Sequence, residues 1–84
     1  MKPCKEATLT ETAQGAFVLD TRTGTCFALN PVGVQVWLRL KEGKSADEIV
    51  TILECRYTGV ERSKLAADVT GFIDRLASKN LLVP

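Results

Sequence analysis

The sequence predicts an α+β domain in which a three-stranded antiparallel sheet precedes three helices. Three observations predict it. Two β-forming runs, "AFVLD" (16–20) and "TCFAL" (25–29), flank the loop "TRTG". Directly after the second run, Asn30 and Pro31 supply a helix N-cap and a proline at the first helical position, where its missing N–H costs nothing. Beyond that point apolar residues recur at helical spacing, with breaks at Gly43 and Gly59.

Residues 5–12, "KEATLTET", are rich in threonine and hold Leu9 as their one large apolar residue, which suits an edge strand. Gly15 marks a turn. The runs 16–20 and 25–29 then form a hairpin across a loop of about four residues, in which Gly24 can take positive φ. Alternation puts Phe27 and Leu29 on one face of the last strand and Cys26 and Ala28 on the other. Phe17 and Leu19 are the expected inward pair on its neighbour. In "PVGVQVWLRLKEG", Gly33, Val36, Trp37 and Leu40 share a helical face and Gly43 is a stop. Ser45 and Glu48 of "SADE" make a capping box for a second helix over 46–57, whose buried face is read as Ile49, Ile52, Leu53 and Tyr57. The third helix spans 61–79, with Leu65, Val69, Phe72, Ile73 and Leu76 at the 3.6 period. Asn80 caps it, and "LLVP" folds back on the core. This order resembles a winged helix-turn-helix with its wing strands moved to the front. At 84 residues the chain is read as one domain, 1–84, with a modest core.

Composition removes several function classes. Eleven Lys plus Arg against ten Asp plus Glu leave a net charge of +1, whereas nucleic-acid and anionic-membrane partners favour a basic excess. Residues 46–57 carry Asp47, Glu48 and Glu54 against Arg56 alone, a poor balance for a helix meant to neutralise phosphates. A winged-helix regulator of DNA is therefore the weaker alternative. No apolar run approaches the ~20 residues of a membrane span, and "MKPCKEATLTE" lacks a signal-peptide core, so a cytoplasmic protein is expected. Cys4, Cys26 and Cys55 form no CxxC pair and fit reduced thiols, with Cys26 read as a small packing residue. Histidine is absent, which removes the commonest general base and every Cys/His zinc pattern. Ser45, Ser63 and Ser78 fall at caps or on helices. No metal, no cofactor and no enzymatic activity are expected.

The string "VLDTRTGTCFALNPVG", then Trp37, Leu40, "GKSADEIV", Tyr57, Val60, "ADV" (67–69), Phe72, Leu76 and "NLL" resemble the family of coenzyme PQQ synthesis protein D, precursor-recognition elements of ribosomal peptide pathways. The resemblance runs over about residues 7–83. The "TG…LNPVG" segment is most similar to the small recognition proteins of lasso-peptide clusters. It implies a non-catalytic adaptor that binds the leader segment of a precursor peptide and presents it to a processing enzyme, in lasso systems a separate leader peptidase. An alternative is service to a radical SAM peptide-modifying enzyme. In the family the leader adds as a further strand beside the third strand, here Thr25, Cys26, Phe27, Ala28 and Leu29, in the cleft against the third helix.

Physical reasoning supplies what such a cleft needs. An edge strand offers unpaired N–H and C=O groups that a peptide satisfies by strand addition, and side-chain pockets then give selectivity. At 100° per residue Leu65, Val69, Phe72, Ile73 and Leu76 share one arc of the third helix, with Asp68 and Arg75 beside Phe72 on its flank. Leu65, Asp68, Val69, Phe72, Arg75 and Leu76 are therefore the candidate wall. An ordinary core, for the apolar members, and a solvated face, for Asp68 and Arg75, are the competing readings. Oligomeric state stays open, since an unpaired edge can also self-associate.

Overall fold

The computed structural model describes residues 2–83. Its elements are β1 (Lys2–Pro3), β2 (Ala7–Thr12), β3 (Gly15–Asp20), β4 (Thr25–Leu29), α1 (Pro31–Lys41), α2 (Ala46–Arg56), α3 (Arg62–Ser78) and β5 (Leu82–Val83). The three longer strands form an antiparallel sheet in the order β2-β3-β4, followed by the three helices, as the sequence predicts. The small pair β1–β5 was not foreseen; two residues per strand carry no readable alternation.

The hairpin between β3 and β4 sets the register of the site. Asp20 and Thr25 are direct partners across a loop whose Gly24 adopts φ +75° and donates its N–H to the Asp20 carbonyl at 2.8 Å. Phe27 therefore faces Val18, and Leu29 faces Ala16. Cross-strand partners share a face. The expectation that Phe17 and Leu19 point inward is thus corrected: Ala16, Val18 and Asp20 turn toward the helices with Phe27 and Leu29. Phe17 and Leu19 lie half-buried on the outer face, opposite Ala28 and Cys26. A loop of even length makes odd positions of β4 share a side with even positions of β3, which apolar content alone does not reveal. Cys26 is exposed on that outer face, not a packing residue, and Cys55 is exposed as well; Cys4 alone of the three is buried.

Helix boundaries follow their caps. Asn30 accepts the Gly33 N–H through Oδ1 at 2.7 Å, and Ser45 with Glu48 forms the predicted capping box. On α2 the buried residues are Ile49, Val50 and Leu53, while Ile52 and Tyr57 are half-buried. Val50 and Ile52 straddle the Ile49–Leu53 line, and it is the Val50 side that is buried. At the end of α3, Asn80 takes φ +59°. Its N–H donates to the Ala77 carbonyl and that of Leu81 to the Leu76 carbonyl, both at 3.0 Å, a Schellman closure. That turn returns Leu81 and Leu82 to the core, where both are buried. The core fills the space between the inner sheet face and the helices, centred on Val18, Trp37, Leu53, Val69 and Leu76. The tail reading on Pro84 lies outside the described residues.

Candidate functional site

Strand β4 is the free edge of its sheet, and the hydrogen-bond parity says which of its groups are unpaired. The Thr21 N–H donates to the Glu6 carbonyl at 3.0 Å, extending the β2–β3 ladder by one pair. Odd positions along β3 therefore bond β2. Even positions, Ala16, Val18 and Asp20, bond β4 through Leu29, Phe27 and Thr25. The N–H and C=O groups of Cys26 and Ala28 are left pointing outward, and no strand among the described residues covers them.

Helix α3 lies along this edge. The rings of Phe27 and Phe72 meet edge-on, with centroids 5.9 Å apart and planes at 78°. Two cations stand over them: the Arg75 guanidinium carbon 6.0 Å from the Phe72 centroid, and the Lys79 ammonium 5.8 Å from that of Phe27. Beside the aromatic pair, Phe27, Ala28, Leu29, Asn30, Phe72 and Arg75 line a cavity of about 340 Å³. A second, of about 270 Å³, continues past the end of β4 toward the start of α1 and is lined by Asn30, Val32, Gly33, Ala67, Asp68, Gly71, Phe72 and Arg75. The cleft thus has an aromatic floor and a rim carrying both charges. Neither Asp68 nor Arg75 has an ion-pair partner among the described residues.

The far end of the cleft is clamped. Asp20 is 1% exposed, and its carboxylate accepts from Arg22 three times: Nε to Oδ1 at 3.2 Å, Nη2 to Oδ2 at 3.0 Å and the backbone N–H to Oδ1 at 2.9 Å. The same Nη2 donates to the Asn80 carbonyl at 3.0 Å, tying the β3–β4 loop to the end of α3. These Arg22 side-chain hydrogen bonds hold the Asp20 carboxyl below its ordinary range, and the carboxylate raises Arg22 in turn. The half-exposed Arg22, held by the buried Asp20 carboxylate, therefore links the β3–β4 loop to the end of α3 by a charge-assisted contact in addition to packing.

The predicted site residues divide in two. Thr25 to Leu29 form the edge, and Asp68, Phe72 and Arg75 line the cleft. Leu65, Val69 and Leu76, at 3%, 0% and 0% exposure, belong to the core beneath it. Sequence reasoning missed Gly33, Gly71 and Lys79. The two helix-interior glycines were the available signal, because glycine there costs about 0.5–1 kcal/mol against alanine and calls for a reason. No group of three or more metal-ligating side chains comes together among the described residues, and none of their helices is long and apolar enough to cross a membrane.

The family model for coenzyme PQQ synthesis protein D matches residues 15–82, from the first residue of β3 into β5. The chain belongs to the PqqD family. Among solved structures it is similar to TbiB1 in complex with the TbiA(beta) leader peptide, at 34% identity over 98% of this chain and 94% of that one, with a TM-score of 0.85. It is also similar to a lasso peptide synthetase B1 complexed with the leader peptide, at 25% identity over 99% and 96%, with a TM-score of 0.87. No curated protein sequence matches it significantly. The PqqD-family match spans β4 and α3 together, so the edge and the cleft both lie within the part of the chain that defines the family.

Proposed function

We propose that this chain is a non-catalytic adaptor of lasso-peptide biosynthesis that binds the leader segment of a ribosomally made precursor and delivers it to a leader peptidase. The observation that carries the reading is the unpaired edge of β4 facing α3 across an open cleft. Strand addition there satisfies the outward groups of Cys26 and Ala28, giving main-chain affinity that depends little on leader sequence. Leader side chains opposite Phe27 and Leu29 then point at Phe72 and Arg75, which sets selectivity. Leu65, Val69 and Leu76 support this wall from beneath. Family membership and the two similar structures, each a complex with a leader peptide, support the same reading.

A second reading keeps leader binding but assigns service to a radical SAM peptide-modifying enzyme, since the family is named for coenzyme PQQ synthesis and not for a lasso-peptide pathway. The test is titration of the protein with a synthetic leader peptide of the precursor encoded beside its gene, followed by pull-down of each processing enzyme encoded there. Micromolar or tighter binding with recovery of the peptidase is expected. Absence of leader binding would sink the adaptor reading, and recovery of a radical enzyme instead of the peptidase would select the alternative.

A further inference from the structure

A third cavity, of about 530 Å³, opens at the loop end of the same cleft and is lined in part by Arg22, Thr23, Thr25, Lys79 and Val83. It is separate from the aromatic floor, and Lys79 joins the two because its ammonium stands over the Phe27 ring. Among the described residues its free charge is one-sided. Asp20, the only carboxylate side chain among the described residues of its wall, is 1% exposed and consumed by Arg22. Lys79 has no ion-pair partner among the described residues. The hydroxyls of Thr23 and Thr25, 2.7 Å apart, add polar groups at the mouth.

We infer that this cavity is a carboxylate subsite, which takes an acidic side chain of the same peptide strand that adds to β4. The inference rests on the leader-binding reading and extends it to the chemistry of the ligand. Along an added strand, every second residue turns toward α3. The residue opposite Phe27 meets the aromatic pair. The residue two positions away, opposite Thr25, reaches the Arg22–Lys79 cavity about 7 Å further on. The recognised pattern is an apolar anchor and an aspartate or glutamate separated by one residue. Lys79 supplies the free cation, while Arg22, already committed to Asp20 and Asn80, keeps the wall in place.

The test uses the full chain and a fluorescein-labelled synthetic leader peptide of the precursor encoded beside its gene. Affinity is measured between about 50 and 300 mM salt, spanning a Debye length of ~14 to ~6 Å. Lys79→Gln should raise Kd about two- to fivefold at the lowest salt, the range of an exposed ion pair, and flatten the salt dependence. Lys79→Glu should weaken binding further. A peptide in which the acidic residue two positions from the anchor is changed to Lys should bind Lys79→Glu better than it binds wild type. If no leader binds wild type, the adaptor reading itself fails. If wild type binds but Lys79→Gln binds equally at every salt, or no acidic position responds to the charge swap, the subsite is wrong and the adaptor reading stands.

Discussion

Phe72 of α3 lies so close to Gly33 of α1 that a Cβ on that glycine would stand 2.9 Å from Cε2 of the ring and 3.2 Å from Cζ. The glycine is what lets the ring settle between the helix and Phe27. Gly33→Ala would gain about 0.5–1 kcal/mol of helix propensity but overpack the contact, which typically costs 1–3 kcal/mol. The ring cannot swing away freely, because Phe27 meets it on the sheet side. A net loss of about 1 kcal/mol is expected, lowering the melting temperature by roughly 4–8 °C. A thermal melt unchanged or raised would show that the ring yields without cost.

Gly71 predicts the opposite sign for the same substitution. Nothing lies within 4 Å of a Cβ built there, and the residue lines the cleft. Gly71→Ala should stabilise α3 by about 0.5–1 kcal/mol, yet weaken leader binding if the proposed strand addition brings the peptide over this part of the cleft. Melting and titration together check it. A variant that gains stability at undiminished affinity would place Gly71 outside the bound peptide's path.

Reading these glycines correctly needed the structure, and the reason is general. Strand and helix positions were legible because alternation, caps and the 3.6 period are local properties of the chain, as Asn30, Ser45 and Asn80 show. Which face of β3 turned inward followed from the four-residue loop "TRTG", which pairs Asp20 with Thr25 and sets even positions of β3 beside odd positions of β4, but the large apolar pair Phe17 and Leu19 obscured it. The cleft was half legible. Phe72, Asp68 and Arg75 follow from one helical arc, whereas Arg22 acts through Asn80, 58 positions away in sequence. No local pattern contains that contact.

The Asp20–Arg22 clamp predicts an acid limb in stability. The Asp20 carboxyl is held below its ordinary value of 3.8, chiefly by the Arg22 hydrogen bonds. Its contribution is therefore complete above pH 3.8 and lost as pH falls through the folded-state value. Glu6, lowered chiefly by the Cys4 thiol, and Glu48, lowered chiefly by the Ser45 backbone N–H, act in the same direction from 4.5. Melting temperature should hold near neutrality and decline as the medium is acidified below about pH 4.5. Asp20→Asn should melt lower at pH 7 and show a shallower decline below pH 4. An acid limb as steep as wild type would remove Asp20 as its cause.

The rim residues allow binding to be separated from folding. Phe72→Ala cannot do this, since truncating a buried Phe costs about 3–5 kcal/mol whatever its role. Asp68 and Arg75 are exposed and unpaired among the described residues. Asp68→Asn and Arg75→Gln should each leave the melt within about 0.5 kcal/mol of wild type. Arg75→Gln should raise the leader Kd about two- to fivefold, through loss of a rim charge and of its position over the Phe72 ring. Wild-type affinity in both variants would remove the rim from the site.

The parity of β4 gives the sharpest test of strand addition. Proline deletes an N–H and fixes φ, and within a sheet it is tolerated only where that N–H faces away from the neighbouring strand. Phe27 bonds inward to Val18, so Phe27→Pro should break the β3–β4 ladder and unfold the sheet edge, visible by circular dichroism. The Cys26 and Ala28 N–H groups face outward, so Cys26→Pro and Ala28→Pro should stay folded. Each deletes one β4 N–H that would donate to a leader carbonyl and should weaken binding at least tenfold, about 1.4 kcal/mol. Amide exchange should agree residue by residue. On leader addition, protection should rise at Cys26 and Ala28, whereas Phe27 and Leu29, already bonded to β3, should change little. Folded Cys26→Pro and Ala28→Pro proteins that bind normally, with no protection gained at either amide, would show that the leader does not pair with this strand.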